Sequence, residues 1–301
     1  MSLIMNNTQL LKQVEMIFDF TDDGSGCDII YLDLSKAYDR EDHVILLSKL
    51  KAMGINEEIM KLIEHWLMNR RQRVKVEDQL SDWDKVISGI LQGSVLGLLL
   101  FILFIWDLKL NPEDLEKEEV RANILKYIDD IKVIAKVTTN EDVEKVQNVL
   151  NSGYEWEKKN NMLFNSDKFM TLRIGSEALR SETLYFTPEY MEPITIMAEA
   201  KDLEIILDYE VSFKSHMKKV VKKANNKISW ILKTFTTCEI QVMRTLWKSL
   251  IVSCFDYGNV IWANTNTQCD REILERPLRN YSKRVKGMSG LNYWQRIAKL
   301  K

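Results

Sequence analysis

The segment Lys126–Ile134, "KYIDDIKVI", places two adjacent aspartates, Asp129 and Asp130, inside a run of β-branched and aromatic residues. Such a run predicts a strand on each side of the pair, with the chain folding back at the aspartates. Two like charges held among buried residues repel each other unless a cation joins them. The segment therefore predicts a hairpin that carries a cation site, although adjacent aspartates also occur in solvated turns, as we expect for Asp22–Asp23.

A third carboxylate lies near the end of another apolar strand, Asp28–Leu34, "DIIYLDL". If this Asp33 lies beside Asp129 and Asp130, three carboxylates meet at one sheet edge and require a cation. Hard oxygen ligands favour Mg²⁺, and two such ions about 4 Å apart serve in-line nucleotidyl transfer. Taken alone, Asp33 is more typical of an ordinary strand end or helix N-cap than of a metal ligand.

Length and composition indicate a soluble globular protein. The chain has 301 residues, 46% hydrophobic and 29% charged, enough for one large domain or two ordinary ones. Its four cysteines have no CxxC spacing, so neither a zinc site nor a disulfide framework is predicted. The first residues lack a secretory signal, and the apolar run Val95–Trp106 is shorter than the roughly 20 residues of a membrane span. We therefore expect an intracellular protein (cytoplasm and nucleus) that is not secreted and has no membrane partner.

Apolar periodicity predicts an α+β body followed by an α-helical C-terminal part. The predicted helices are Met1–Phe20, Glu41–Met53, Glu57–Leu67, a buried helix Ser94–Asp107, Asp142–Asn160 and a helical region from Phe213 onward. The predicted strands are Asp28–Leu34, a hairpin of Arg73–Val76 with Asp84–Ile87, two strands within Asn123–Ala135, Phe164–Ile174 and Leu203–Leu207.

The order of five motifs along the chain resembles reverse transcriptases of non-LTR retrotransposons, most closely the jockey-like branch. The motifs are "DLSKAYD" at Asp33–Asp39, "LQGSVLGLLLF" at Leu91–Phe101, "YIDD" at Tyr127–Asp130, "NSDK" at Asn165–Lys168 and "KDLEIIL" at Lys201–Leu207. The resemblance extends from about Cys27 to Lys301. It implies a right-hand polymerase palm, an antiparallel sheet packed on helices, with partial fingers and an α-helical thumb.

The resemblance also implies roles for individual residues. Asp33, Asp129 and Asp130 match the carboxylates that bind two Mg²⁺ ions (with Mn²⁺ as a possible substitute), and the Leu34 carbonyl matches a backbone ligand. Tyr38 matches the aromatic gate that excludes a 2′-hydroxyl, and its alternative is an ordinary core tyrosine. The remaining matches are Gln92 and Gly93, in a turn near nucleotide and template, and Lys168, near the triphosphate. Without the resemblance, Gln92 and Gly93 are typical of a turn at the start of a helix, and Lys168 is typical of a surface lysine.

Clustered lysines offset the net charge of −2 locally. Lys214, Lys218 and Lys222 recur every fourth residue of a predicted helix and so lie on one face. With Lys219 and Lys223 they match the family's thumb, which lies along the primer and template through salt-sensitive phosphate contacts. A solvated helix face is the alternative. We expect a second basic cluster to face the template: Arg70, Arg71, Arg73 and Lys75. A third cluster lies near the C-terminus: Arg279, Lys283, Arg284 and Lys286.

The resemblance divides the chain into three parts. Residues 1–27 correspond to a remnant of the fingers. Residues 28–212 form a palm with a fingers-side insertion at about 40–90 and a primer-grip hinge at about 201–212. Residues 213–301 form the thumb and the start of a C-terminal region. The short fingers and the absence of an endonuclease domain lead us to expect a piece truncated at both ends.

Three positions depart from the family's usual residues. Leu91 and Leu98 stand where prolines are usual, and Glu204 stands where glycine is usual, so we expect a looser turn and backbone strain there.

The expected activity is RNA-directed DNA synthesis, with an RNA template, a DNA primer and dNTPs as partners. The sequence leaves open a decayed, inactive fragment that binds nucleic acid at most, and a protein that keeps only the fold. Tyr38 argues against an RNA-dependent RNA polymerase. Template preference and oligomeric state are not specified by the sequence.

Overall fold

The computed structural model describes residues 2–108, 122–175, 184–188, 191–263 and 267–300. Compactness divides the chain into two units: Phe20–Ile196, and Met1–Asp19 together with Met197–Lys301. These limits differ from the predicted boundaries at residues 27 and 212. We describe each unit separately below.

The unit Phe20–Ile196 is built on a sheet with the strand order β6-β7-β1-β8-β9, in which the β6–β7, β7–β1 and β1–β8 pairs are antiparallel. Its strands are β1 (Gly26–Asp33), β6 (Ala122–Tyr127), β7 (Asp130–Val137), β8 (Met170–Ile174) and β9 (Thr195–Met197). The central strand β1 pairs with β7 on one side and with β8 on the other. Because six of its eight residues are buried, β1 is an almost continuous apolar run, as the sequence predicts.

Helices cover this sheet and complete its core. They are α2 (Ala37–Arg40), α3 (His43–Ala52), α4 (Glu57–Leu67), α5 (Val95–Phe104) and α6 (Asn140–Lys159). Side chains from α3, α4, α5 and α6 join those of β1 and β7 in one hydrophobic cluster. Thr139 and Asp142 form a capping box that satisfies the first amides of α6 and fixes its start.

Helix α5 is less buried than its apolar sequence predicts. Leu100, Phe101 and Phe104 are buried, but Val95 is 90% exposed and Leu99 is 52% exposed. The apolar run contains no polar residue that would mark its outer face, so the sequence alone cannot orient it. None of the described helices is both long and apolar enough to span a bilayer.

A small ribbon lies between α4 and α5, and its pairing differs from the prediction. Strands β2 (Arg71–Gln72) and β5 (Asp84–Lys85) pair at the base, and β3 (Lys75–Val76) and β4 (Gln79–Leu80) pair at the tip. The predicted hairpin of Arg73–Val76 with Asp84–Ile87 is therefore wrong in register. With exposed residues throughout, the ribbon offers no buried face that would fix register from the sequence.

The other unit is mainly helical. It contains residues 2–19 of α1 (Ser2–Thr21) and the hairpin of β10 (Glu199–Asp202) and β11 (Ile205–Asp208). The later helices are α7 (Lys214–Thr234), α8 (Ile240–Leu246), a π-helical stretch Trp247–Ile251, α9 (Val252–Asp256), α10 (Asn259–Trp262), α11 (Gln268–Ser282) and α12 (Tyr293–Leu300). Residues of α7, α8, α9 and α11 form its apolar core, and the predicted helical region after Phe213 is confirmed.

Candidate active site

The strand register places the three predicted carboxylates at one end of the sheet. Asp33, the last residue of β1, is the direct antiparallel partner of Asp130, the first residue of β7. Tyr127 pairs with Asp130 across the neighbouring β6–β7 hairpin, which leaves Ile128 and Asp129 as its two-residue turn. Side chains of directly opposed residues project from the same face of a sheet. The backbone therefore brings Asp33 and Asp130 together and puts Asp129 beside them.

The aspartate pair is solvent-exposed, contrary to the buried environment that the flanking residues suggest. Asp129 and Asp130 are exposed, whereas Ile131 is 1% exposed and Val133 is fully buried. The apolar pattern correctly predicts that β7 is buried from Ile131 onward, but burial does not extend to Asp129 and Asp130 at the start of the strand. Water therefore screens the repulsion between the Asp129 and Asp130 carboxylates, which burial would have strengthened.

The turn that presents Asp129 is strained. Ile128 has φ +57°, a left-handed conformation that β-branched residues rarely adopt. Such strain costs on the order of 1–2 kcal/mol and concentrates at functional sites. The tight Ile128 turn holds Asp129 next to the first residue of β7 at the expense of local backbone energy.

Lys168 lies at this end of the sheet, as the motif order predicts. A 3₁₀ turn, Ser166–Lys168, directs its Nζ to within 2.9 Å of Asp33 Oδ2. The hydrogen bond to Asp33 raises the pKa of Lys168, and the nearby charge of Asp129 raises it further. Lys168 is 61% exposed, so it is a protonated, accessible ammonium group that pairs with Asp33.

The segment before Lys168 is tied to the end of β1. Leu34 and Phe164 form an isolated antiparallel bridge, in which the Asn165 amide donates to the Asp33 carbonyl and the Ser35 amide donates to the Leu163 carbonyl. These bonds use groups of Asp33 and Ser35, not the carbonyl of Leu34. These hydrogen bonds fix the segment that leads to the Ser166–Lys168 turn against the end of β1.

Tyr38 lies close to the carboxylates and is held by packing. Its ring stacks on Phe101 with centroids 4.9 Å apart, and its carbonyl accepts a hydrogen bond from the Ile90 amide. Partial burial raises the pKa of Tyr38, and the charge of Asp129 adds to that effect. The ring is thus a rigid, neutral surface next to Asp129.

Gln92 and Gly93 form the predicted turn before α5. Gly93 has φ +86°, and a Cβ built on it would meet nothing within 4 Å. The Leu91 carbonyl accepts hydrogen bonds from the Ser94 amide and hydroxyl, so the turn closes without the proline usual in the family. Gln92 and Gly93 are exposed, which leaves the turn open to a ligand.

The donor chemistry of the carboxylates suits a hard divalent cation. As the side chains stand, however, no three His, Cys, Asp or Glu residues in the described part of the chain form a group that could hold a metal ion. Asp33 is engaged by Lys168. A cation shared by Asp33 and Asp130 would therefore compete with Lys168 for the Asp33 carboxylate.

Glu41 is a buried carboxylate close to this site that the sequence pattern does not reveal. It is fully buried, and neither carboxylate oxygen has a hydrogen-bond partner among the described residues. Burial raises the pKa of Glu41 to about 8, partly opposed by the charge of Lys49. At neutral pH the Glu41 side chain is therefore mostly protonated in the folded protein.

Glu41 is expected to make stability fall as pH rises. The pKa of Glu41 is about 8 in the folded protein against 4.5 when exposed, so the folded state binds the extra proton between these values. From pH 5 to pH 7.5 the free energy of unfolding should fall by at most about 3 kcal/mol. Glu41→Gln should remove this slope, as measured by urea denaturation at both pH values. Equal slopes in the two proteins would contradict the assignment.

The predicted lysine face is present on α7. Lys214, Lys218, Lys219, Lys222 and Lys223 are all exposed. The opposite face of the helix is buried: Val220, Ala224 and Ile228 lie in the apolar core of the unit, and Met217 is buried as well. In the third basic cluster, Arg279 pairs with Glu275 and Lys286 pairs with Glu239. The lysines of α7 are therefore the more available basic surface of this unit.

Glu204 adopts the strained conformation expected at this position. Leu203 and Glu204, the turn between β10 and β11, have φ +43° and +70°. Two left-handed residues favour Asn or Gly in such a hairpin turn. The Glu204 carboxylate also forms ion pairs with Lys201 and Lys219.

Glu204→Gly is expected to stabilise the protein. Relief of the left-handed strain contributes about 1 kcal/mol, and loss of two exposed ion pairs offsets only part of it. Glu204→Gln is the matched control, because it removes the charge and keeps the strain. The thermal unfolding temperature of Glu204→Gly should be higher than that of the wild type, and that of Glu204→Gln should be equal to or lower than that of the wild type. If Gly and Gln unfold at the same temperature, the strain is not significant.

Comparison with known proteins is consistent with this geometry. The family described as reverse transcriptase (RNA-dependent DNA polymerase) matches residues 5–206. The chain is 26% identical over 278 residues to a probable RNA-directed DNA polymerase from transposon X-element of Drosophila melanogaster, covering 88% of this chain and 28% of that protein. It is 25% identical over 239 residues to the RNA-directed DNA polymerase from mobile element jockey of the same species, and the match covers 76% of this chain and 25% of that protein. The chain thus spans about a quarter of the length of these relatives.

A solved structure shares the fold. The telomerase from Candida albicans in complex with a TWJ fragment of telomeric RNA superposes with a TM-score of 0.50 at 12% identity, covering 97% of this chain and 53% of that one. This likeness concerns the fold alone.

Proposed function

Because the chain belongs to the reverse transcriptase (RNA-dependent DNA polymerase) family, we propose that it is the polymerase core of a non-LTR retrotransposon. It extends a DNA 3′ end on an RNA template. The family match confirms the resemblance predicted from the motif order, and the antiparallel sheet with covering helices is the predicted α+β palm. We assign the palm to Phe20–Ile196 and the thumb to the helices from Lys214 onward.

One observation supports this proposal above the others: the pairing of Asp33 with Asp130 beside the strained turn that holds Asp129. These three residues would hold divalent metal, Mg²⁺ or Mn²⁺, with the Leu34 carbonyl as a further oxygen ligand. Divalent metal held by these residues would supply activation of the primer 3′-hydroxyl and neutralisation of the triphosphate charge. An antiparallel register does not slip easily when strands are buried, so the backbone positions of Asp33 and Asp130 are fixed relative to each other.

The neighbouring side chains complete the site. Lys168 is a protonated ammonium group within reach of Asp33, so it can neutralise the triphosphate and donate a proton to the leaving pyrophosphate. Tyr38, fixed against Phe101, limits the space beside Asp129 and would exclude a 2′-hydroxyl. Gln92 and Gly93, in an open turn, would contact the nucleotide and template through groups that no side chain covers.

The lysines of α7 supply the proposed contact with primer and template. Five exposed ammonium groups on one helix favour sequence-independent binding to phosphates: Lys214, Lys218, Lys219, Lys222 and Lys223. We expect the affinity of the chain for an RNA–DNA duplex to fall steeply with salt concentration.

Nucleic-acid binding without catalysis is the second candidate. The strained Glu204, which also pairs with Lys219, favours it because the residue weakens both the turn and the positive charge of the lysine face. The two candidates differ in nucleotide incorporation, not in binding.

Nucleotide incorporation on defined templates tests the proposal. The chain is given oligo(dT) annealed to poly(rA), Mg²⁺, and either dTTP or UTP. We expect incorporation of dTTP and strong discrimination against UTP. Salt-dependent binding of the duplex without incorporation would reject the polymerase in favour of the second candidate, and equal use of UTP would reject Tyr38 as a gate.

A further inference from the structure

The buried carboxyl group of Glu41, three residues after Tyr38, takes part in none of the roles above. Glu41 ends the short helix α2 and is fully buried. Neither of its carboxylate oxygens has a hydrogen-bond partner within the described part of the chain. Such a group is tolerated in its neutral form, because burial without hydrogen bonds disfavours the charged one. The local fold therefore depends on the proton that Glu41 carries.

The backbone around Glu41 is hydrogen-bonded to the segment that precedes α5. The Gly89 amide donates to the Glu41 carbonyl, and the Ile90 amide donates to the Tyr38 carbonyl, each at 2.8 Å. We call these two paired segments the gate ladder, which consists of residues 38–42 and 88–90. Because Glu41 and Tyr38 belong to the same ladder, a movement that brings the Glu41 carboxyl group to water loosens the bonds that hold Tyr38.

A lysine acts on the Glu41 carboxyl group, but its own hydrogen bonds go elsewhere. The charge of Lys49, on α3, partly opposes the effect by which burial raises the pKa of Glu41. Its Nζ donates to the Phe104 carbonyl at 2.7 Å and to Asp107 Oδ1 at 2.6 Å. While these contacts persist, Lys49 gives an ionised Glu41 no hydrogen bond, so ionisation favours opening of the ladder.

The other titratable groups of the ladder and its contacts remain in place when Glu41 alone is changed. They are Tyr38, Asp39, Arg40, Asp42, His43 and Arg70. Of these, His43 and Arg70 are hydrogen-bonded to the Gly89 carbonyl. Any pH dependence that these groups contribute is thus common to the wild type and to a Glu41 variant, and the difference between the two proteins belongs to Glu41.

The direction of the pH effect follows from proton linkage. The pKa of Glu41 is about 8 in the folded protein against 4.5 when exposed, so the closed ladder keeps the proton where an open ladder loses it. Between these values, opening becomes about tenfold more frequent with each pH unit, and above the folded pKa it rises no further. The ladder is therefore opened more often at pH 7.5 than at pH 5.5.

We propose that Glu41 is a positioning residue for Tyr38: with its proton, the gate ladder stays closed and holds the tyrosine, and loss of the proton opens the ladder and relaxes the gate. Glu41 acts through Tyr38 and does not touch the nucleotide. The effect on nucleotide choice rests on the proposed function, since it concerns the exclusion of a 2′-hydroxyl. The opening itself needs neither metal nor nucleotide and is measured separately.

Amide hydrogen exchange of the full chain tests the opening. After correction for the intrinsic pH dependence of exchange, the Gly89 and Ile90 amides of the wild type should lose about a hundredfold in protection from pH 5.5 to pH 7.5. Glu41→Gln keeps the shape of the neutral carboxyl group and should lose far less. Glu64→Gln removes an exposed carboxylate from α4 and should behave as wild type.

The buried strands β1 and β7 are the reference for this measurement, because global unfolding would show the same pH dependence. At pH 7.5 the amides of both strands should exchange more slowly than those of Gly89 and Ile90. Equal exchange in all these segments would mean that Glu41 acts on global stability alone, which would overturn the inference.

Nucleotide choice tests the link to Tyr38. The ratio of kcat/KM for dTTP to kcat/KM for UTP, on oligo(dT) annealed to poly(rA), should fall several-fold from pH 6 to pH 8 in the wild type. In Glu41→Gln the ratio should stay high at both pH values. Because pH effects common to both nucleotides cancel in the ratio, a residue that served stability alone would leave it unchanged.

The outcomes separate this inference from the proposed function. Opening that depends on Glu41, in a chain that incorporates no dTTP, would support the ladder and reject the polymerase. Incorporation of dTTP together with equal exchange in the wild type and Glu41→Gln would do the reverse. Opening that depends on Glu41 while the dTTP-to-UTP ratio stays constant with pH would overturn the assignment of Glu41 as a positioning residue for Tyr38.

Discussion

Asp33→Asn is expected to lower RNA-templated primer extension at least about a thousand-fold. Asp33 is the residue through which β1 contributes to the carboxylate group, opposite Asp130. Asparagine keeps the shape but removes one of the negative charges that would hold divalent metal. Metal stabilisation of the transition state amounts to several kcal/mol, and each 1.36 kcal/mol is a factor of ten in rate.

The chain contains its own control for this substitution. Asp22–Asp23 is also an adjacent pair near β1, but Asp23 forms an ion pair with Lys136 and Asp22 is exposed. Asp22→Asn should therefore leave extension unchanged. Both variants should bind the RNA–DNA duplex and unfold like the wild type, since Asp33 loses only an ion pair that Lys168 makes from solvent. Extension within tenfold of wild type in Asp33→Asn would remove Asp33 from the metal site.

Gly89→Ala should destabilise the protein by about 4 kcal/mol. Gly89 has φ +80°, and a Cβ there would lie 2.8 Å from three backbone atoms of Tyr38 and Asp39. The backbone cannot yield easily, because the Gly89 amide donates to the Glu41 carbonyl and its own carbonyl accepts from His43. Left-handed strain contributes about 1–2 kcal/mol and the steric overlap about 1–3 kcal/mol.

Gly93→Ala separates the two contributions. Gly93 has φ +86°, but a Cβ there would contact nothing within 4 Å. We therefore expect a loss of only about 1 kcal/mol in urea denaturation. Equal losses for the two alanine variants would show that the contact with Tyr38 and Asp39 does not determine the cost. Because the added Cβ would push against the backbone of Tyr38, Gly89→Ala should also weaken discrimination between dTTP and UTP in the molecules that remain folded.

The buried parts of the fold follow from the sequence because burial leaves a pattern. Strand β1, the β6–β7 hairpin and helix α6 have apolar residues at strand or helix spacing, and the predicted elements agree with the structure. The pairing of Asp33 with Asp130 follows from the same pattern, since a one-residue slip would expose the apolar residues of β7.

The exposed parts could not be predicted in the same way. Helix α5 is apolar on every side, so nothing in its sequence distinguishes the face that remains exposed. The ribbon that carries Trp83 has no buried side chain, and its register depends on turns rather than on a core. Glu41 looks like an ordinary residue before a helix, and only the three-dimensional packing shows it to be buried without a partner.

The central claim is that the carboxylates at the end of β1 and β7 support polymerisation. The most direct test is primer extension by the full chain on poly(rA)–oligo(dT) with dTTP, in Mg²⁺ and in Mn²⁺, beside a variant carrying Asp129→Ala and Asp130→Ala. We expect extension by the wild-type chain that disappears in the variant while duplex binding persists. Extension that survives in the variant, or its absence in a wild-type chain that binds the duplex, would contradict the claim.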